Sequence, residues 1–360
     1  MKKKNKTVKR TREEKKKLRE ENRALKAERK AKKKAQKEAD KERKRVIKEA
    51  NKMLIPATKK SKKSMGFVNF DPSGTFHFEN GRWIRVYEVT WNLSGAVQAA
   101  LKTKSRLRIT HIITPDEDGA VDEKSYVSLI AEGDIYKPVQ EQFEEDEEII
   151  QDLIGVKPLS VDEAVNVIIR QLNDEVKPFS HEAYVKSKKD LFREISPLIE
   201  EERDHFSIDD SYGESLFFME YPPAPTSDPF SVLKELNCKV FVSFDLVGIS
   251  EADKEDYVRT LEKRYSRSLS RDAVCDFLNV SGQISFICES FEEMEETEQR
   301  IKAAFREDHY LIAREFGDQA DSLLSQVTLG LLEHGNLRNV SVDTMDEILR
   351  RSYGDNKDKV

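Results

Sequence analysis

Residues 75–90 read TFHFENGRWIRVYEVT. Thr75–Glu79 and Trp83–Thr90 alternate apolar with polar side chains, and Asn80-Gly81 stands between them. That dipeptide readily takes the left-handed backbone of a two-residue hairpin, so the stretch predicts two antiparallel strands. It also marks a change of regime. Upstream the composition is helical and basic; downstream, short strands and helices alternate.

The net charge of −6 hides this division. Residues 1–64 hold 29 Lys/Arg against 9 Asp/Glu, leaving 33 against 59 for the rest of the 360 residues. Between Thr11 and Ala50 there is no Gly or Pro, and strong helix formers dominate. Glu13–Lys17 and Glu28–Lys32 have the i,i+4 spacing that supports a helix. Leu18, Leu25, Ala39, Val46 and Met53 share one heptad position, interrupted by Lys32. The companion positions read Glu21, Glu28, Ala35, Glu42 and Glu49. A coiled coil needs two apolar positions per heptad, so the expectation is a solvated helix. Pro56 ends it, and a basic linker follows. Lys15, Lys16, Lys17, Lys32, Lys33, Lys34, Lys59, Lys60, Lys62 and Lys63 are the candidate polyanion-binding residues, for DNA or RNA phosphates or anionic lipid headgroups. No aromatic residue lies between Met1 and Met65, which argues against base stacking there.

Downstream, Ser94 is placed to cap a helix to Thr103, and Leu107–Thr114 and Ser125–Glu132 read as strands around a turn at Pro115–Gly119. A helix is expected over Val139–Ile154. Ser160 and Glu163 form a capping-box signature for the next one. A further helix is expected over Glu182–Glu202, with a break at Pro197. Ser215–Tyr221, Lys239–Val247, Gln283–Cys288 and Tyr310–Phe316 read as strands. Helices are expected from Asp228-Pro229 to Leu236, over Glu251–Arg264, and over Phe291–Arg306. That order suggests a split βαβ module. Helices over Asp318–Leu332 and Ser341–Arg351 complete the chain. The fold class expected is α+β: a long basic N-terminal helix followed by two adjoining α+β subdomains, the second ferredoxin-like. The boundaries are 1–64 for arm and linker, 65–205 and 206–351 for the subdomains, and 352–360 for a disordered tail. In Lys239–Val247, Val240, Val242 and Phe244 should face the core, whereas Phe241, Ser243 and Asp245 form a second, more tolerant face.

Several chemistries lack their residues. No glycine precedes a lysine, so a P-loop is absent, and G-x-G-x-x-G, G-x-S-x-G and H-E-x-x-H are absent too. The six histidines are dispersed, and the three cysteines (Cys238, Cys275, Cys288) show no C-x-x-C spacing. This argues against a disulfide framework and a structural zinc, and for a reducing compartment. No apolar window is long enough for a membrane span, and the N-terminus lacks a signal-peptide core. The expectation is a non-enzymatic protein without a cofactor or metal. Trp83 and Trp91 flank the second hairpin strand. Both suit hairpin packing, and both are candidates for partner binding.

Beyond these local readings, the order of segments resembles a family. TFHFENGRWIRVYEVTWNL (75–93), then GESLFFMEYPP, KVFVSFDLVG and ISFICESFEEMEETEQRI, resemble the amino-terminal domain of the motor ATPases that energise conjugation and type IV secretion. QADSLLSQVTLG (319–330) is similar to the Q-x-x-x-L-x-S-x-x-P-x-G stretch that closes that domain. Gln319, Leu323, Ser325 and Gly330 agree, and Thr328 stands where proline is usual. The likeness spans about 67–350. It implies a docking or scaffold component of a conjugative type IV secretion system, lacking the ATPase domain and its Walker residues. It further implies an oligomer, cytoplasmic and peripheral at the inner face of the cell membrane. Its partners would be inner-membrane subunits and a separate P-loop ATPase subunit. The basic arm is not part of the family pattern, and the alternative is a nucleic-acid-binding accessory protein acting through that arm.

Overall fold

A computed structural model describes residues 12–57, 66–115, 120–172, 177–187, 199–249, 254–255, 259–260, 262–263, 276–332 and 334–353. Two compact units make up the chain, Met1–Met53 and Leu54–Val360. The first contains one helix, α1 (Arg12–Ala50), of 39 residues, or about 58 Å at 1.5 Å per residue. Ile47 is half-buried, and the other described side chains of α1 are exposed. Ion pairs such as Arg45–Glu42 (2.7 Å) and Lys34–Glu38 (4.0 Å) run along it, each contributing a few tenths of a kcal/mol.

The second unit begins with β1 (Ile55–Pro56), β2 (Phe67–Asp71), β3 (Thr75–Phe78) and β4 (Arg82–Val89). The hairpin expected around Asn80-Gly81 is β3–β4, with Gly81 at φ 81°. There follow α2 (Ala96–Lys102), β5 (Arg106–Pro115), β6 (Val121–Glu132), α3 (Tyr136–Leu153), β7 (Val156–Pro158), α4 (Val161–Leu172) and α5 (His181–Ser187). Next come β8 (Ile199–Glu201), β9 (Phe206–Ile208), β10 (Ser211–Glu220), a 3-10 helix (Pro229–Glu235), β11 (Lys239–Gly248) and β12 (Phe277–Cys288). The chain closes with α6 (Phe291–Glu307), β13 (Leu311–Arg314), α7 (Gln319–Val327), β14 (Arg338–Ser341) and α8 (Val342–Tyr353).

Among the described residues, all fourteen strands join one sheet, in the order β1-β2-β3-β4-β6-β5-β11-β12-β10-β9-β8, with β7 on β4, β13 on β10 and β14 on β12. Every pairing in this order is antiparallel. The element order runs through the same cycle twice. The first pass is β2-β3-β4-α2-β5-β6-α3-β7-α4. The second is β8-β9-β10, the 3-10 helix, then β11-β12-α6-β13-α7. Pairings repeat as well: β4 contacts β3, β7 and β6 as β10 contacts β9, β13 and β12. The equivalent strands β5 and β11 are both 10 residues long, and β6 and β12 are both 12. The passes meet where β5 pairs with β11, Thr110 standing opposite Ser243. Equivalent strands paired antiparallel give the sheet an approximate two-fold axis at that pair.

The expected boundary between 65–205 and 206–351 therefore does not separate two sheets. Pairing β5 with β11 removes an edge that each half would otherwise expose. One sheet face carries a continuous apolar core under α2, α3, α6, α8 and the 3-10 helix, including Trp83, Tyr87, Leu107, Val242, Phe244, Phe286 and Phe305. On the other face, α4, α5 and α7 cover a second core of Phe67, Phe70, Phe76, Ile84, Ile168, Phe241 and Leu323.

Local signals hold where they are short-range. Ser160 and Glu163 form the reciprocal capping box, with Ser160 N donating to Glu163 Oε2 at 2.9 Å and Glu163 N to Ser160 Oγ at 3.3 Å. Asp228 caps the 3-10 helix by accepting from Phe230 N at 3.1 Å. The helix expected over 182–202 is a correction: α5 stops at Ser187, residues 188–198 lie outside the described residues, and Ile199–Glu201 is a strand paired to β9. Of the helix expected over 251–264, the described residues 254–255, 259–260 and 262–263 are helical. The tail expected from 352 begins as the last turn of α8, and residues 354–360 lie outside the described residues.

Candidate functional site

The stretch that carries the family likeness forms α7 and the turn after it. Gln319, Leu323 and Ser325 have no exposed surface. Gln319 Oε1 accepts from Ser215 N at 2.6 Å, while its Nε2 donates to Glu315 O at 2.5 Å. The amide thus bridges the start of α7 to β10. Ser325 Oγ donates to Gln283 Oε1 at 3.2 Å and accepts from Arg108 Nη2 at 3.2 Å. Arg108 also donates to Ser243 Oγ at 3.3 Å and lies 3.8 Å from Asp245 Oδ2. Gln326 Nε2 donates to Ser285 Oγ at 2.5 Å. Together these groups form a buried polar seam between α7 and the centre of the sheet, beside the β5–β11 axis.

Leu329 (φ 55°) and Gly330 (φ 85°) turn the chain out of α7. A Cβ on Gly330 would meet Arg108 Cδ at 2.7 Å, so this position needs glycine on two counts. Thr328 N donates to Leu324 O at 3.1 Å, a bond that a proline at this position could not make. Gln319 and Ser325 thus tie α7 to the sheet by hydrogen bonds, Leu323 packs in the apolar core, and Gly330 forms the turn after the helix.

A second constellation joins β10, α6 and β13. Arg314 Nε donates to Glu214 Oε1 at 2.8 Å, its Nη2 to Glu298 Oε2 at 2.6 Å, and its Nη1 to Asp204 Oδ2 at 3.1 Å. Lys302 also bonds Glu298. Burial pushes the Glu214 carboxyl up to about 8, reinforced by the charge of Glu298 and a hydrogen bond with it. Burial would raise Glu298 too, but hydrogen bonds from Arg314, Lys302 and Glu214 outweigh it and hold that carboxyl below its ordinary range. Glu214 is therefore the protonated member and Glu298 the ionised one.

The residues singled out from the sequence do not converge. Lys15, Lys16, Lys17, Lys32, Lys33 and Lys34 lie on α1, the last three exposed, whereas Lys59, Lys60, Lys62 and Lys63 lie outside the described residues. The two tryptophans separate. Trp83 has no exposed surface, stacks between His77 and Tyr136, and donates from Nε1 to Gly133 O at 2.7 Å. Its partner-binding role is thereby corrected, because the ring and its N–H are both engaged in the core. Trp91 keeps 55% of its surface exposed. The seam and the Arg314 cluster escaped the sequence reading, since their members lie up to 217 positions apart. Among the described residues no helix is long and apolar enough to cross a membrane, and no group of His, Cys, Asp and Glu gathers as metal ligands.

No protein-family model and no curated protein matches the chain. Two solved structures show partial likenesses. The crystal structure of aclacinomycin oxidoreductase is 8% identical, covering 64% of this chain and 42% of that one, with a TM-score of 0.28. GilR, an oxidoreductase of gilvocarcin biosynthesis in complex with pregilvocarcin, is 12% identical, with coverages of 68% and 48% and a TM-score of 0.26. The chain spans less than half the length of either protein, and likenesses at such scores carry no functional argument.

Proposed function

We propose that this chain is a non-catalytic docking component of a conjugative type IV secretion system, related to the amino-terminal domain of the motor ATPase. The observation that carries the reading is the role of the matched residues. Gln319, Leu323, Ser325 and Gly330 fasten α7 over the sheet centre. We also infer that each half is ferredoxin-like, since a strand–helix–strand–strand–helix–strand order with strand order fourth-first-third-second occurs in both, the first helix of the second half being the 3-10 helix.

In this reading the protein sits at the cytoplasmic face of the inner membrane as part of an oligomer. It contacts inner-membrane subunits and a separate P-loop ATPase, with Trp91 as one contact, and α1 tethers it to anionic surfaces. Affinity purification from the native cell envelope tests this directly. Recovery of inner-membrane secretion subunits, reduced by Trp91→Ala, is expected; their absence from the eluate would overturn the proposal. The runner-up, a nucleic-acid-binding accessory protein, rests on the exposed lysines of α1. Sequence-selective DNA binding that persists at high salt would favour it.

A further inference from the structure

Cys238 directly precedes β11, and Cys288 ends β12. The register sets Lys239 opposite Ile287, so Cys238 and Cys288 face each other one step further along. Both are buried in the same apolar core, on one face of the sheet. Directly opposed residues of antiparallel strands have Cα atoms about 4.5–5.5 Å apart. That falls inside the range of about 4.4–6.8 Å over which a disulfide closes without backbone movement. The two thiols lie close enough to influence each other's ionisation, and Cys288 Sγ donates to Thr297 Oγ1 at 3.7 Å. Both cysteines are free thiols here.

We propose that Cys238 and Cys288 are a peroxide-oxidisable pair that closes into an intramolecular disulfide, clamping the start of β11 to the end of β12. The hydrogen bond from Cys238 holds the Cys288 thiol below its ordinary range, whereas bonding to Cys288 and burial push Cys238 up. Cys288, whose Sγ also lies 3.7 Å from the Thr297 hydroxyl, is the attacking sulfur in this step. Its thiolate attacks one peroxide oxygen, the O–O bond breaks, and the departing hydroxide takes a proton to leave as water. The product is a sulfenic acid on Cys288. Cys238 sulfur then attacks Cys288 Sγ, expelling the hydroxyl, which takes the Cys238 proton and leaves as a second water. The two sulfurs lose two electrons in all, and hydrogen peroxide gains them. A small oxidant suits a pair this buried. The clamp lies where the 3-10 helix enters β11 and α6 leaves β12, so oxidation stiffens the second half of the sheet.

The test treats the full-length protein with hydrogen peroxide in its native state, then alkylates the remaining thiols after denaturation and maps the peptides. A linked Cys238–Cys288 peptide, about 2 Da lighter than its two thiol parts, is expected, with Cys275 still alkylated. In Cys238→Ser, a sulfenic acid trapped on Cys288 by a dione probe is expected. Two outcomes would overturn the proposal. One is a linkage through Cys275; the other is oxidation that leaves both Cys238 and Cys288 alkylatable while the wild-type protein stays folded. The wild-type map decides the matter even if a variant fails to fold.

Discussion

Arg108 lies at the sheet centre, where β5 pairs with β11. It is fully buried, bonds Ser243 and Ser325, and lies 3.8 Å from Asp245. Removing one partner of a buried charge pair leaves the other uncompensated, so Arg108→Met should destabilise by about 3–5 kcal/mol. Arg108→Met combined with Asp245→Asn should recover part of that loss. Urea unfolding of both variants and of Asp245→Asn alone checks it, and a double-variant loss equal to the sum of the two single losses would show that the pair is not coupled. Gly330→Ala meets both a left-handed backbone and the Arg108 side chain, and should cost about 1–3 kcal/mol in the same assay. Sequence alternation placed Ser243 and Asp245 on a tolerant face. The structure buries them, at 1% and 6% exposure, because α7 and its seam cover that side.

At the scale of elements, the packing of α6 and β13 against β10 is tied to one proton. Glu214 is held near 8 by burial and by Glu298, whereas an unfolded glutamate releases its proton near 4.5. Between those values the folded protein binds the proton and the unfolded chain does not, so this group's contribution to stability falls as pH rises. Glu214→Gln should flatten the pH dependence between about 4.5 and 8, leaving the rest of the profile in place. Unfolding midpoints measured across that interval decide it; superimposable profiles for wild type and variant would exclude the role. The β1 strand carries a second lesson at this scale. Ile55 pairs with Phe70 and Pro56 with Asn69, so the arm cannot be cut at residue 64 without removing a strand of the sheet.

For the molecule as a whole, the arm boundary accordingly lies at Met53. Deleting 1–53 should leave the melting temperature of 54–360 nearly unchanged while abolishing low-salt binding to DNA and to anionic vesicles alike. Calorimetry and co-sedimentation on the truncated and full-length proteins measure both effects. A truncated protein that melts well below the full-length one would make the arm part of the folding unit. Full-length protein should not hydrolyse ATP or GTP above background, with or without DNA. No glycine is followed by lysine, so the phosphate-cradling loop and its lysine are missing. Turnover lost on mutation of a residue in this chain would refute that.

The sequence by itself determined whatever neighbouring residues decide among themselves. That includes the basic helix over 12–50, the Asn80-Gly81 hairpin, the Ser160–Glu163 capping box, and the two alternating faces of β11. These signals act over a few positions and need no partner elsewhere in the chain. Only the tertiary structure decided which strands pair. Nothing in the local pattern marks the two passes as equivalent, or sets Thr110 beside Ser243. It also decided that Trp83 lies in the core while Trp91 faces solvent, and that two of three scattered cysteines face each other. The physical reason is distance along the chain. Burial of a strand's second face depends on whether a helix lies over it, and here that helix, α7, begins more than seventy positions after β11 ends. A run of serines and charged residues read alone resembles a solvent face. Beneath α7 the same residues become a hydrogen-bonded interior.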